Sequence, residues 1–312
     1  MIHLVGVGCI GLLHGSHLVR HSSVTFLSRR SCVGMLEVST NSLDCKTRFP
    51  ITVEQIGDNK TPINRLIVTT KAYDTEEAIK SLLPRLQLAK NPCILLLQNG
   101  VLQSRNLLMQ NSILSPRDGF TPTVLLGLTT HGVSRLPGSA LGIIHAGVGQ
   151  TKLGHDLDAV PTRQSQEFEN TLTEAWKVLN SHKLEPQELF REITLKVAIN
   201  ACLNPVVAAL NAKNGVVADR HASQLVKSIC DEIAPIIAST IQSMTSAELY
   251  EQVQDVAFKT RLNDNSMAVD VSLKRQTEID FINGYFIELG ARLGLSTQLN
   301  TFITNLIKAL TS

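Results

Sequence analysis

A glycine turn placed almost at the start of the chain constrains the fold most. Residues 2–7 read as a buried strand, and Gly6-Val7-Gly8-Cys9-Ile10-Gly11 follows at its end and opens a helical stretch. The spacing is G-x-G-x-x-G, and each glycine has its own physical reason. The first permits a tight turn, the second lets backbone approach a pyrophosphate, and the third lets the helix lie close against the strand. The helix start supplies unpaired N–H donors and the positive end of a dipole, which suits a dinucleotide. Glycine turns also serve ordinary packing; the strand-turn-helix setting favours the nucleotide reading.

The rest of the first half fits that setting. Residues 24–27, 66–70, 94–97 and 124–128 read as further buried strands, with helices at 101–110 and at 74–83, the latter expected to stop at Pro84. Strand and helix in alternation indicate a parallel sheet with helices on its faces. Residues 141–146 and 150–153, joined by Gly147-Val148-Gly149, read as an antiparallel hairpin at the end of that sheet. A polar helix over 163–181 and the Lys183-Leu184-Glu185-Pro186 turn close this half. Beyond residue 190, helical periods take over at 191–211, 221–259 and 276–311. At 312 residues the chain suits two domains of about 150 residues. The expected architecture is α/β, with a Rossmann-type dinucleotide-binding domain over 1–186 and an all-helical domain over 187–312.

Composition narrows the partners. Lys plus Arg total 29 and Asp plus Glu 27, a balance that signals neither a nucleic-acid nor a membrane-surface partner. Aromatics at 4% are too few for base-stacking platforms. The six cysteines (Cys9, Cys32, Cys45, Cys93, Cys202, Cys230) form no C-x-x-C pair, so reduced thiols in a cytosol-like compartment are the simplest expectation. Residues 1–19 carry no Asp, Glu, Lys or Arg, yet Gly6, Gly8, Gly11 and Gly15 with His3, His14 and His17 interrupt them, so they read as fold and not as a signal peptide. No run of 18 or more apolar residues occurs elsewhere, and no membrane span is expected. The expected compartment is the cytoplasm, a mitochondrial address being the alternative that an atypical import signal would give.

At the end of the second strand, an acid would bind the ribose 2′-hydroxyl of NAD. This chain has Ser28-Arg29-Arg30 instead, and two guanidinium groups suit the 2′-phosphate of NADP; a solvated basic turn is the plainer reading. Lys71 follows one strand and Gln98-Asn99-Gly100 another, at the sheet edge where open α/β sheets bind ligands. Taken singly, they read as a surface charge and a turn.

In the second half, Lys196, Asn200 and Asn204 recur at i, i+4 and i+8, a polar stripe among Val197, Ala198, Ile199, Ala201, Cys202 and Leu203. A cation and two amides in such surroundings need buried partners or a ligand. A structural network, or a helix break at Asn204-Pro205, would also account for them. Asn263 and Ser266 alone read as a helix cap or loop, and Glu278 with Asp280 as a helix first turn.

Together these pieces resemble the ketopantoate reductase (2-dehydropantoate 2-reductase) family over nearly the whole chain. The matching segments are Gly6 to Gly11, Thr69-Thr-Lys-Ala72, Gln98-Asn-Gly100, Thr129-Thr-His131, Ile144-His145, Lys196 to Pro205, Asn214-Gly215, Asn263 to Met267 and Thr277 to Gly284. The resemblance implies reduction of ketopantoate to pantoate by NADPH, on the route to coenzyme A, in a cleft between two domains. It implies Lys196 as the general acid and Glu278 as the acid that contacts cofactor and orders the site. Asn99, Asn200, Asn204, Asn214, Asn263 and Ser266 would hold the substrate's carboxylate and hydroxyls. Arg29, Lys71, Asn99 and Glu278 would stand with Gly6, Val7, Gly8, Cys9, Ile10 and Gly11 on the cofactor side, where Val133 would add a backbone contact. No metal is implied, since lysine supplies the positive charge on the ketone oxygen. Cys9-Ile10, Gly15 and a loop lengthened by Leu136-Pro-Gly-Ser139 depart from the family pattern. A related NADP-dependent 2-oxo acid or hydroxyacid dehydrogenase is the enzymatic alternative. A non-catalytic NADP-binding sensor is another, although a sensor is expected to lack the lysine or glutamate. The apolar helix faces suit packing within one chain or across a homodimer.

Overall fold

The computed structural model describes residues 1–29, 35–40, 46–57, 60–117, 119–241 and 243–312. They form two compact units, Met1–Phe190 and Arg191–Ser312. The first unit contains strands β1 (Ile2–Val5), β2 (Val24–Ser28), β3 (Met35–Thr40), β4 (Lys46–Pro50), β5 (Thr52–Gln55), β6 (Arg65–Val68), β7 (Cys93–Leu96), β8 (Thr123–Thr129), β9 (Gly132–Arg135), β10 (Gly142–Gly147), β11 (Thr151–His155) and β12 (Ser181–Lys183). Its helices are α1 (Cys9–Leu18), α2 (Ala72–Gln87), α3 (Val101–Gln110) and α4 (Arg163–Ala175).

An eight-stranded sheet has the order β12-β11-β8-β7-β6-β1-β2-β5. From β5 to β8 all neighbours are parallel, and β11 then pairs antiparallel with β8. Every residue of β1, β7 and β8 is buried, the continuous apolar run that a sheet covered on both faces requires. The chain leaves β1 through α1 to β2 on one side, then returns to β6 on the other. The strand order therefore reverses at β1, and the glycine turn lies at that reversal, where such sheets bind ligands.

Helices α1 and α4 cover one face. Leu12, Leu13, Phe168, Leu172 and Trp176 share a core with Leu4, Phe26, Leu95 and Leu125, each large side chain contributing about 1.5–3 kcal/mol. Gly15 explains itself here, because a Cβ would lie 2.3 Å from the Phe26 ring. The Trp176 indole N–H donates to the His14 carbonyl at 3.0 Å. His14 Nδ1–H donates to the Ile10 carbonyl at 3.0 Å, and its Nε2 accepts from Thr151 Oγ1 at 2.9 Å. Burial lowers its pKa to about 3, and the neutral ring is the form those bonds need.

Three expectations are corrected. Helix α2 runs through Pro84 to Gln87. Pro84 and Lys80, whose carbonyl loses its donor, are exposed, while buried Leu82, Arg85 and Leu86 hold the last turn. Arg85 is fastened by Glu54 Oε1 at 2.5 Å and the Thr61 carbonyl at 2.9 Å. Strands β10 and β11 are not a hairpin. β10 pairs with β3 and β9 in a second sheet of order β4-β3-β10-β9, and β11 pairs with β8. The alternating pattern marks strands without naming partners, and Gly149 packs so close to Thr130 backbone, 2.5 Å from an added Cβ, that the chain crosses between sheets there. Thirdly, α4 ends at Ala175, and a 3₁₀ turn and β12 follow, where one helix to 181 was expected. The sequence reading names no strand between 28 and 65, where β3, β4 and β5 stand, because Lys46-Thr-Arg-Phe-Pro50 and Thr52-Val-Glu-Gln55 carry little apolar signal.

The helical unit follows α5 (Pro186–Ala209) with α6 (Arg220–Ala238), α7 (Ser246–Lys259), α8 (Ser266–Ser272), α9 (Ile279–Leu293) and α10 (Gln298–Thr311). The long periods at 221–259 and 276–311 are thus each broken by capped turns, for example the reciprocal Thr245–Glu248 cap of α7. Among the described residues only α5 has the length and apolarity to cross a membrane, and 67% of that stretch is buried, as in a core helix.

Candidate active site

The glycine turn is shaped by close approach. Gly6 has φ +102°, and a Cβ there would lie 2.5 Å from Thr69 and Thr70 backbone. At Gly11 it would lie 2.2 Å from the Gly6 carbonyl and 2.4 Å from Thr69 Oγ1. Gly8 differs: its nearest neighbour would be Thr69 O at 3.9 Å, so its α-carbon faces open space. Gly8 is also the N-cap of α1, which has no side-chain cap and no acid in its first turn. Its amide donors and dipole are therefore left for an anion, and the open side of Gly8 is where a phosphate would come. A dinucleotide fits this turn.

Cations gather around it. Burial pushes the Cys9 thiol up, while Arg135 and Lys71 pull it the other way, so both charges act at the turn. Lys71 is the N-cap residue of α2 and half-buried. Arg135, on β9, donates to the Val7 carbonyl. Sequence reasoning missed Arg135, since nothing local ties a strand residue to a turn far upstream. Arg29 follows β2 with its side chain 68% exposed and 3.4 Å from Asp74, a weak surface pair that leaves it available to a phosphate. Arg30 lies outside the described residues.

Asn99 precedes Gly100, whose φ of 62° turns the chain into α3. Gln98 beside it is buried, and neither amide atom has a hydrogen-bond partner. Val133 on β9 is half-buried opposite His145. His131 ties segments together: Nε2–H donates to the Leu179 carbonyl at 2.9 Å, and Nδ1 accepts from Gly149 N–H at 2.9 Å and faces His145 Nε2 at 3.0 Å.

In the helical unit, α5 is continuous across Lys196, Asn200 and Asn204, so the stripe is one helix face. Lys196 and Asn200 are half-buried and Asn204 is buried. Burial lowers the Lys196 pKa to about 8, and the Glu278 carboxylate pulls against that shift. Glu278 is itself buried, at the start of α9, and makes no capping bond there. Asp280, the other acid of that turn, is exposed and pairs with Lys308 at 2.6 Å.

Asn214, Asn263 and Ser266 are brought together by a different part of the unit. Asn214 N–H donates to the Asn263 carbonyl at 3.0 Å. The Asn214 side chain donates to Thr260 Oγ1 at 2.8 Å and accepts from Asn265 Nδ2 at 3.1 Å, so much of its capacity is used within the protein. Asn265, not Asn263 or Ser266, caps α8, accepting from Ala268 N–H at 2.9 Å. Asn263 and Ser266 are exposed, with no capping duty to perform.

The family Ketopantoate reductase PanE/ApbA matches residues 2–157, and its C-terminal counterpart matches residues 188–311. The chain is 28% identical to the 2-dehydropantoate 2-reductase of Vibrio cholerae serotype O1 over 99% of its own length and 97% of the relative's. Among solved structures, the "Probable 2-dehydropantoate 2-reductase panE" of Bacillus subtilis superposes with a TM-score of 0.74 at 25% identity, covering 99% of both chains. A D-mandelate dehydrogenase bound to NADH and anilino(oxo)acetate shares the fold, with a TM-score of 0.82 at 20% identity over 100% of this chain and 98% of that one. Matched in order across both halves, the chain belongs to the ketopantoate reductase PanE/ApbA family.

Proposed function

We propose that this protein reduces 2-dehydropantoate (ketopantoate) to pantoate with NADPH. The observation that carries the reading is Lys196, a half-buried ammonium whose pKa is lowered to about 8, opposed by the buried Glu278 carboxylate. When bound, NADPH supplies a hydride to the carbonyl carbon. Lys196 Nζ donates a proton to the carbonyl oxygen, so the ketone gains one hydride and one proton and becomes the alcohol. The same ammonium stabilises the negative charge that builds on that oxygen. Glu278 steadies the ammonium, and Asn200 and Asn204, one and two turns along the same face, hold the substrate's polar groups together with Asn99, Asn214, Asn263 and Ser266. The glycine turn holds the pyrophosphate, with Lys71 close by and Arg29 reaching the 2′-phosphate. Val133 contributes backbone on the nicotinamide side. Free Cys9, Cys93, Cys202 and Cys230 support a reducing compartment, and the cytoplasm is part of this reading.

The test is NADPH oxidation with ketopantoate, beside NADH and a panel of other 2-oxo acids. Saturable turnover with ketopantoate and NADPH supports the proposal; turnover with another acid alone replaces the substrate; NADPH binding without turnover leaves a sensor. The pH profile checks the acid. Lys196 must be protonated to act, so kcat/KM is full below about 8 and falls as pH rises through that value. Glu278 raises the Lys196 pKa, so Glu278→Gln is expected to move the alkaline limb to lower pH; a limb that stays in place removes the coupling. Arg29→Ala is expected to weaken NADPH by roughly tenfold or more and leave NADH nearly unchanged, as loss of a phosphate-binding guanidinium should. An unaltered NADPH to NADH ratio takes Arg29 out of the site.

A further inference from the structure

Helix α5 carries Lys196, Asn200 and Asn204 and then contains Pro205. A proline has no N–H, so the carbonyl four residues back, that of Ala201, loses its helical donor. Ala201, Cys202 and Val207 are fully buried, and a carbonyl in such surroundings needs a partner from the protein. Asn283, fully buried on α9, provides it: its Nδ2 donates to Ala201 O at 2.9 Å.

Asn283 is held in turn. Its Nδ2 also donates to Asn300 Oδ1 at 3.0 Å. Asn300 Nδ2 donates to Glu232 Oε2 at 2.8 Å, and the same carboxylate accepts the amides of Leu299 and Asn300 at 2.8 and 2.9 Å. An ordered chain of amides therefore runs from the Glu232 carboxylate on α6, through α10 and α9, to the Ala201 carbonyl opposite Pro205 in α5. Each member polarises the next, which strengthens the whole. Asn283 Oδ1 has no partner, so the residue is placed for its donors, and an aspartate there could not replace it.

We propose that Asn283 is a positioning residue for the reaction, holding the Ala201 carbonyl that Pro205 leaves without a helical donor so that Lys196 keeps its place relative to Glu278. The two elements it joins are the ones that matter: Lys196 and Ala201 stand on α5, and Glu278 opens α9, on which Asn283 lies. The inference rests on the reductase reading for what Lys196 does. It does not rest on that reading for the hydrogen bond.

Four full-length proteins decide it: wild type, Asn283→Leu, Pro205→Ala and the double variant. Alanine at 205 restores an N–H that serves Ala201 O within the helix, which makes the Asn283 donor dispensable. Asn283→Leu is expected to lower kcat at least roughly tenfold, as a small misplacement of the acid should, and to move the alkaline limb to lower pH. NADPH titration counts folded sites and should leave its affinity within about threefold. Pro205→Ala should recover most of the lost kcat in the double variant, and amide exchange over residues 197–204 should quicken in Asn283→Leu and slow again in the double. Equal losses in both backgrounds overturn the proposal, as does a kcat loss that only tracks the number of folded sites. If Asn283→Leu does not fold, a folded, active double variant supports the proposal and an unfolded one overturns it. If wild type fails to turn over ketopantoate, the substrate assignment falls and the exchange pattern decides alone: rescue supports the positioning, unchanged protection overturns it.

Discussion

Lys196→Ala is expected to lower kcat by about two to four orders of magnitude, the usual contribution of a placed general acid, with NADPH affinity nearly intact. The separation of the two effects follows from the roles proposed for the two groups. Lys196 belongs to the helical unit, and the glycine turn proposed to hold the dinucleotide belongs to the first unit. Lys196→Arg sharpens the test, because arginine keeps the positive charge but holds its proton at any working pH. Charge stabilisation would survive in that variant and proton transfer would not, so a rate between wild type and alanine is expected. Comparable losses of turnover and NADPH affinity in Lys196→Ala would instead mark the lysine as structural.

The second large effect is a contrast within the glycine turn. Gly11→Ala is expected to destabilise the protein and abolish tight NADPH binding together. Its methyl would sit 2.2 Å from the Gly6 carbonyl and 2.4 Å from Thr69 Oγ1, so backbone must move. Overpacking of this kind costs about 1–3 kcal/mol, which lowers Tm by roughly 2–4 °C for each kcal/mol in a domain of this size. Gly8→Ala is expected to leave Tm unchanged, since the nearest atom would be 3.9 Å away. Its methyl instead enters the open side proposed for the pyrophosphate, so NADPH affinity should fall at least about tenfold without unfolding. Thermal melting and NADPH titration of both variants measure this. A Gly8→Ala protein that binds NADPH as wild type does would move the pyrophosphate away from that glycine.

Much of the candidate site was legible in the chain because its chemistry is local. The strand, glycine turn and helix of residues 2–18 are contiguous, and steric and dipolar demands at such a turn act over a few residues. The stripe of Lys196, Asn200 and Asn204 was legible for the same reason, helical periodicity alone placing three polar groups on one face. The buried parallel strands could be named because each is a short apolar run. What the sequence could not decide depends on partners far along the chain. Pairing of β10 with β3 and β9, and of β11 with β8, is set by packing between segments that carry no mark of each other. Helix α2 continues past Pro84 because Arg85 finds Glu54 on β5 and Thr61 in the loop that follows it. Arg135 reaches the glycine turn, and Asn283 the Ala201 carbonyl of α5, only once the elements between them have packed. The sequence by itself determined the local chemistry of the turn and of the helix that carries Lys196, because backbone sterics and helical period act between near neighbours. The tertiary structure decided how Lys196 is tuned and how the Ala201 carbonyl is satisfied, because burial, the Glu278 charge and the Asn283 hydrogen bond arise only when distant segments meet.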